Sequence, residues 1–363
     1  MPSCRFFLIA FVPVLFIYFI VPPPRPKRPL CPQRKPTYVP GESLILGISL
    51  SASYGTISMR NANGFFTDIG RIDGDGDYVA MMRRFSSISS SHPAPPYDGM
   101  EEQWDDQPRQ WLRDARKMLF LPASSDVRRL SGLARSLVHL ARSQAAPHAS
   151  IASVVISYPA LPGVFAEDII DTARYLSLPQ LSGGHGYPPR TLISSYAGHG
   201  MGLCASYYNA SRCREEGLDH PVRSTLLVDY TSSTILMHAE SMREAYGTAN
   251  SDIDVSTWFL SPTSERINSD ADELVRRKLL SEMVVELLNR KWERFRGPPE
   301  PLEDITVLLT GNPDDIDVDQ ARKRMEEAVD KAGFKAQMYH SNPEFIASQG
   351  AAEMAWRALT LHI

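Results

Sequence analysis

The chain has 363 residues, 43% of them apolar and 22% charged, with 38 Lys and Arg against 42 Asp and Glu for a net charge of −4. That balance excludes a disordered or collagen-like chain and a polytopic membrane protein, and without a basic excess no nucleic-acid partner is expected. Four cysteines in this length exclude a disulfide-stapled scaffold.

Behind the five-residue tip, Phe6 to Val21 form an unbroken apolar run of 16 residues. As a helix it spans about 24 Å, which crosses a bilayer with local thinning. Cleavage as a signal peptide needs small residues after the run, and Pro22, Pro23, Pro24 and Arg25 stand there instead. The expectation is a single-pass membrane anchor over 6–21 that partners membrane lipid, followed by a proline-rich basic linker over 22–40. Arg5 alone precedes the run, whereas Arg25, Lys27, Arg28, Arg34 and Lys35 follow it, so the positive-inside rule puts the folded body in the cytoplasm. Two features speak for a lumenal body instead. Asn209-Ala210-Ser211 is an N-glycosylation sequon, making Asn209 the glycosylation candidate, and Cys204 and Cys213 could pair in an oxidising compartment.

The folded part opens at Gly41. Ser43 to Arg60 reads as strand, small-residue turn (Ser51-Ala52-Ser53) and strand. Asp73-Gly74-Asp75-Gly76-Asp77 begins like a calcium loop, but Tyr78 and Arg84 occupy positions that need Gly and Glu, which leaves a solvated turn. Phe85 to Asp98 is an exposed Ser/Pro loop. Trp104 to Leu121 and Val127 to Arg142 carry helical spacing. Ser153 to Pro159 is a buried strand followed by a helix from Val164 to Tyr175, and Thr191 to Leu203 is dense in small residues that permit close packing. Ser224 to Glu240 repeats the strand–turn–strand pattern with its turn at Thr231-Ser232-Ser233. The strongest helix runs from Ala271 to Arg296. A strand at Ile305–Thr310, the turn Gly311-Asn312-Pro313, a helix at Asp317–Lys331, a strand at Ala336–Tyr339 and a helix at Pro343–Leu359 complete the chain.

Alternating strands and helices with two separate hairpins imply an α/β fold in two related halves. Five segments in order resemble the two-lobed nucleotide-binding domain of actin, sugar kinases and the 70-kDa heat-shock chaperones. Gly47 to Tyr54 is similar to the first phosphate loop, and Ser153 to Ala160, continued through Ala197 to Leu203, to the strand and small-residue helix that cross between lobes. Asp229 to Thr234 is similar to the second phosphate loop, Leu308 to Asn312 to the adenosine-loop strand, and Asn342-Pro343-Glu344 with Gly350-Ala351-Ala352 to the closing helix. The resemblance implies the actin-like ATPase (ribonuclease-H-like) fold, each lobe a mixed sheet with flanking helices. Lobe I would span 41–203, lobe II 204–340, and a final helix over 341–363 would return toward lobe I. Membrane-anchored fungal proteins of this type are the expected relatives.

The same resemblance implies a site for ATP or ADP with Mg²⁺ lined by Ser51, Ala52, Ser53, Tyr54, Asp229, Thr231, Ser232, Ser233, Thr234, Gly311 and Asn312, with Asp229 the one acid left to face the metal. The chemistry is depleted, however. Ser49 stands where the first-loop Asp belongs, side chains replace phosphate-loop glycines, and Thr191 to Ser195 offers no counterpart of the connecting-helix Glu. The expectation is a weak ATP binder or pseudo-ATPase that scaffolds or regulates an unidentified protein partner. The alternatives are an active ATPase using Asp73, Asp75 or Asp77, and a lumenal glycoprotein that uses the fold to bind protein.

Overall fold

A computed structural model of the protein describes residues 43–146, 148–180, 188–231, 234–245, 247–248, 254–259, 278, 280–288, 304–311 and 318–360. The described residues all fall within one compact unit, Tyr38–Ile363; the expected anchor at 6–21 and linker at 22–40 lie outside the described residues. Among the described residues no helix is long and apolar enough to cross a membrane.

Side-chain alternation builds the layers. In β1 (Ser43–Leu50), Leu44, Leu46, Ile48 and Leu50 enter one apolar cluster, while Ile45 enters another on the opposite face. β4 (Ser150–Ser157) does the same with Val154 and Ile156 against Ala152 and Val155. In β5 (Arg223–Tyr230) and β9 (Asp304–Gly311), Leu226, Val228, Val307 and Leu309 face one way and Leu227 and Leu308 the other. Strands buried on both faces need cover on both sides. The chain supplies it with helices outside each sheet and a helical layer between them.

The first sheet runs β3–β2–β1–β4, with β2 at Tyr54–Arg60 and β3 at Phe66–Asp73. β1, β2 and β3 pair antiparallel and β4 is parallel to β1. The second sheet runs β10–β9–β5–β6, with β6 at Thr234–Glu244 and β10 at Lys335–Tyr339; beyond β6 lie β7 (Gly247–Thr248) and β8 (Asp254–Phe259). Here β5, β6 and β8 pair antiparallel, and β9 and β10 continue parallel. Both sheets thus repeat one order and one set of directions. Even the extra parallel position past β4 has a trace, a bridge between Val154 and Gln180.

Helices α1 (Gly76–Phe85), α3 (Ser125–Gln144) and α4 (Ala166–Tyr175) cover the outer face of the first sheet. The helical stretch 280–288 and α7 (Val318–Lys331) cover that of the second. Between the sheets lie α5 (Thr191–Gly198) and α8 (Ile346–Thr360), whose backbones touch. A Cβ on Gly350 would fall 1.7 Å from the Ser194 carbonyl oxygen, and one on Gly198 2.3 Å from that of Ile346. The molecule is an α/β protein of two mixed sheets with flanking helices.

Most expected elements are present, and three readings need correction. The small-residue helix ends at Gly198; Ala197 to Leu203 is its end and a turn in which Gly200 and Gly202 take positive φ. Asp73 to Asp77 is no free turn: Asp73 closes β3, and Asp75 caps α1 by accepting from the Tyr78 backbone N–H at 2.7 Å. β3 itself was not expected, because only Ile69 is buried along it and an edge strand carries little apolar pattern. Of the helix expected at 271–296, residue 278 and residues 280–288 are described, and they are helical.

Candidate functional site

The turn of the first hairpin meets the end of β5 at Asp229. β1 leads through Ser51, Ala52 and Ser53 into β2, the turn closed by Ser51 N–H donating to the Tyr54 carbonyl at 2.8 Å. β5 ends at Tyr230 and passes through Thr231 to β6 at Thr234. Thr231 stabilises this bend three ways: its N–H donates to the Thr234 carbonyl at 2.9 Å, its Oγ1 accepts from Thr234 N–H at 3.0 Å, and the two hydroxyls lie 2.9 Å apart. Hydroxyl side chains here replace the backbone-only turn that glycines would give.

Asp229 joins β5 to the first turn. It is 3% exposed, and its Oδ2 accepts a hydrogen bond from the Ser51 hydroxyl, while its Oδ1 accepts from the Tyr54 hydroxyl at 3.2 Å. Tyr78 of α1 braces the first turn by donating to the Ser51 carbonyl oxygen at 2.7 Å. Arg71 lies over the Tyr54 ring at 4.5 Å, but its guanidinium pairs with Asp73 at 2.6 Å and Glu344 at 3.3 Å. No cation contacts Asp229 directly among these groups. Burial therefore pushes the Asp229 carboxyl above its ordinary value, partly offset by the Ser51 and Tyr54 hydrogen bonds and by the charge of Arg71. Tyr54 and Tyr78 rise well above the usual phenol value, through burial first and the neighbouring Asp229 second.

Ser49 and Asp229 are the penultimate residues of corresponding strands, and they pair with Ser157 and Thr310 on the corresponding parallel neighbours. One half of the repeat keeps an acid at that place and the other carries a hydroxyl. At the end of β9, Gly311 has φ 136°, and a Cβ there would meet the Tyr230 carbonyl oxygen at 2.0 Å; its N–H donates to the Pro343 carbonyl at 3.1 Å. Gly311 thus serves a close strand contact and spends its donor on the chain leading to α8.

Of the residues expected to line a nucleotide site, Ser51, Tyr54 and Asp229 come together, and Ser51, Ala52, Asp229, Thr231 and Thr234 are all buried. Ser53 is half-buried at the turn. Ser232, Ser233 and Asn312 lie outside the described residues. Each Asp229 oxygen accepts one hydroxyl hydrogen bond, Oδ2 from Ser51 and Oδ1 from Tyr54, so the carboxylate is tied to the first turn. Magnesium needs ionised carboxylate or phosphate oxygens with room for water. Among the described residues no three His, Cys, Asp or Glu side chains gather as metal ligands. Asp73, Asp75 and Asp77 do not converge either; Asp73 pairs with Arg71, Asp75 caps α1 and Asp77 is exposed, 4.0 Å from Arg129.

Among the buried ionisable groups that escaped the sequence reading are His238 and Glu240. They lie on one face of β6, 1% exposed each, with Nε2 and Oε2 3.2 Å apart. Their signal was available: polar residues two apart, alternating with Met237 and Ala239 in an otherwise apolar strand. No protein-family model and no curated protein matches this chain.

Proposed function

We propose that the protein is a two-lobed domain of the actin, sugar-kinase and 70-kDa heat-shock-chaperone type that no longer carries out phosphoryl transfer and serves as a membrane-anchored scaffold or regulator. Three features support the fold reading: the strand order repeated in both sheets, the helix pair α5 and α8 between them, and the first hairpin turn meeting the end of β5 at Asp229. The single observation that carries the loss of activity is the Asp229 latch. Phosphoryl transfer requires cations and fixed donors arranged around the moving phosphoryl oxygens. Here the acid is desolvated, held by two hydroxyls and bonded straight across to the opposite turn. ATP or ADP with Mg²⁺ must break that latch to enter, so binding is weak at best. The partner that the scaffold serves is a protein, and residues 6–21 hold the molecule to lipid.

The test is titration calorimetry of the full chain with Mg²⁺–ATP beside a phosphate-release assay. The expected result is no turnover above background and at most millimolar binding. Ser51→Gly, which removes the hydroxyl that donates to Asp229, should strengthen any binding. Steady turnover that is lost in Asp229→Ala would overturn the reading in favour of an active ATPase. Alkaline carbonate extraction tests the anchor; it should leave full-length protein in the membrane pellet.

A further inference from the structure

The segment between α5 and α6 (Ala210–Asp219) brings together features that share one chemical requirement and do not involve the Asp229 latch. Cys204 and Cys213 form a disulfide with Cα atoms 5.2 Å apart, closing a loop with a sequence separation of nine. Asn209, first residue of the sequon Asn209-Ala210-Ser211, lies inside that loop. The base of the loop is held down: Arg357 of α8 donates to the Cys204 carbonyl at 2.6 Å, and Glu216 accepts from the Ala205 and Ser206 N–H groups at 2.6 and 3.1 Å. The apex points outward, with Tyr208, Asn209, Ala210 and Ser211 all exposed.

The Asn209 carboxamide divides its two ends. Oδ1 caps α6 by accepting from the Arg212 N–H at 3.1 Å, while Nδ2 makes no hydrogen bond among the described residues. The nitrogen is the atom through which an N-glycan attaches, so the cap survives attachment. Beside it the Tyr208 ring is 69% exposed, an apolar face of the kind that a sugar ring covers. A disulfide and an N-glycan both belong to the secretory compartments, one by redox poise and the other by the location of the transferring enzyme.

We infer that Asn209 is an N-glycosylation site and that the folded body faces the lumen or cell exterior, with the Cys204–Cys213 bond closed. In the transfer step Nδ2 bonds to the anomeric carbon of a lipid-diphosphate-linked oligosaccharide. The carbon–oxygen bond to the diphosphate breaks, the lipid diphosphate leaves, and the amide proton goes to a base of the transferring enzyme. Closing the disulfide takes two electrons and two protons from the thiols, accepted by the disulfide of a carrier protein through exchange. This orientation runs against the five basic residues after the apolar run and reverses the cytoplasmic body that their count suggests.

The experiment expresses the full chain in a eukaryotic cell and treats it with an N-glycan-cleaving amidase. One discrete downward shift in mass is expected, absent in Asn209→Gln and Ser211→Ala and retained in Ser211→Thr. Ser211→Ala leaves the Asn209 cap in place, so loss of the shift there reads out modification rather than misfolding. A maleimide of known mass should label Cys204 and Cys213 only after reduction. No amidase shift in a folded wild-type chain would overturn the site, and maleimide labelling of both cysteines before reduction would overturn the lumenal orientation.

Discussion

A carboxyl group buried without a contacting cation is pushed toward its neutral form and leans on neutral donors, and Asp229 shows both: burial raises its value while Ser51 and Tyr54 donate to it. The sign of its effect on stability follows. Its folded-state value lies above the ordinary 3.8, so between the two values the folded protein holds a proton that the unfolded chain releases. Wild-type stability therefore falls as pH rises from about 3.8 through the folded value. Asp229→Asn keeps an acceptor for Tyr54 and offers a donor to Ser51, with no charge to desolvate. Urea midpoints measured from pH 4 to 7 should show the Asp229→Asn variant gaining on the wild type as pH rises; a difference independent of pH would refute the assignment. The sequence revealed Asp229 as an acid at a strand end but not its use. Its partner Ser51 stands 178 residues away, and only the meeting of two sheets brings the hydroxyl to the carboxylate. Tyr78, 27 residues from Ser51, was legible only as the residue that spoils a calcium loop, yet in place it is a strut on the Ser51 carbonyl.

At the scale of elements, α2 (Met100–Met118) inverts the usual polarity of a surface helix. It buries Asp106 and Arg113 and leaves Trp104, Trp111, Leu112 and Met118 exposed. The ionic face is held by partners on α4: Arg113 donates to Asp168 at 2.7 Å and to Asp171 at 2.8 Å, and Arg109 bridges Asp106 and Glu167. These bonds fix the rotation of the helix, so its apolar residues cannot turn inward. Removing Arg113 leaves two carboxylates buried and unpaired by it, which costs about 3–5 kcal/mol. Arg113→Ala should lower the denaturation midpoint accordingly, whereas Trp104→Gln and Leu112→Gln should stay within about 0.5 kcal/mol of wild type. Equal losses in both sets would mean that the apolar face is the packed one. Helical spacing was readable in this segment, but the inward face was not. Periodicity arguments send apolar side chains inside, and the carboxylates that reverse the choice lie some 55 residues further on.

For the whole molecule, the repeated sheet order explains why two hairpins and their crossover elements were legible from sequence while the interface between halves was not. Hairpins and buried strands announce themselves through local pattern. The seam between the halves depends on three glycines, Gly47, Gly198 and Gly350, far apart in the chain. A Cβ on Gly47 would fall 2.0 Å from the Ser348 carbonyl oxygen, and Gly198 and Gly350 meet similar backbone walls. Each position presses backbone against backbone, where no side-chain rotation makes room. α8 is the common element: it lies on β1, β2 and β4 and against α5, burying Ala351, Ala352, Met354, Ala355 and Leu359. Gly350→Ala should therefore cost about 3 kcal/mol, near the upper range for overpacking, because a helix rather than a rotamer must shift. A chain ending at His340 should go further. It exposes Ile45, Val155, Leu192 and Leu227, and it removes the Glu353 carboxylate that Arg60 contacts at 2.6 Å. Ile45 and Val155 belong to the first sheet and Leu227 to the second, so neither half keeps a closed core. Differential scanning calorimetry should give one cooperative transition for the intact chain, a lower one for the Gly350→Ala variant, and none for the chain lacking α8. A surviving transition in the last case would show that each sheet with its outer helices folds alone and that α8 only joins two finished halves.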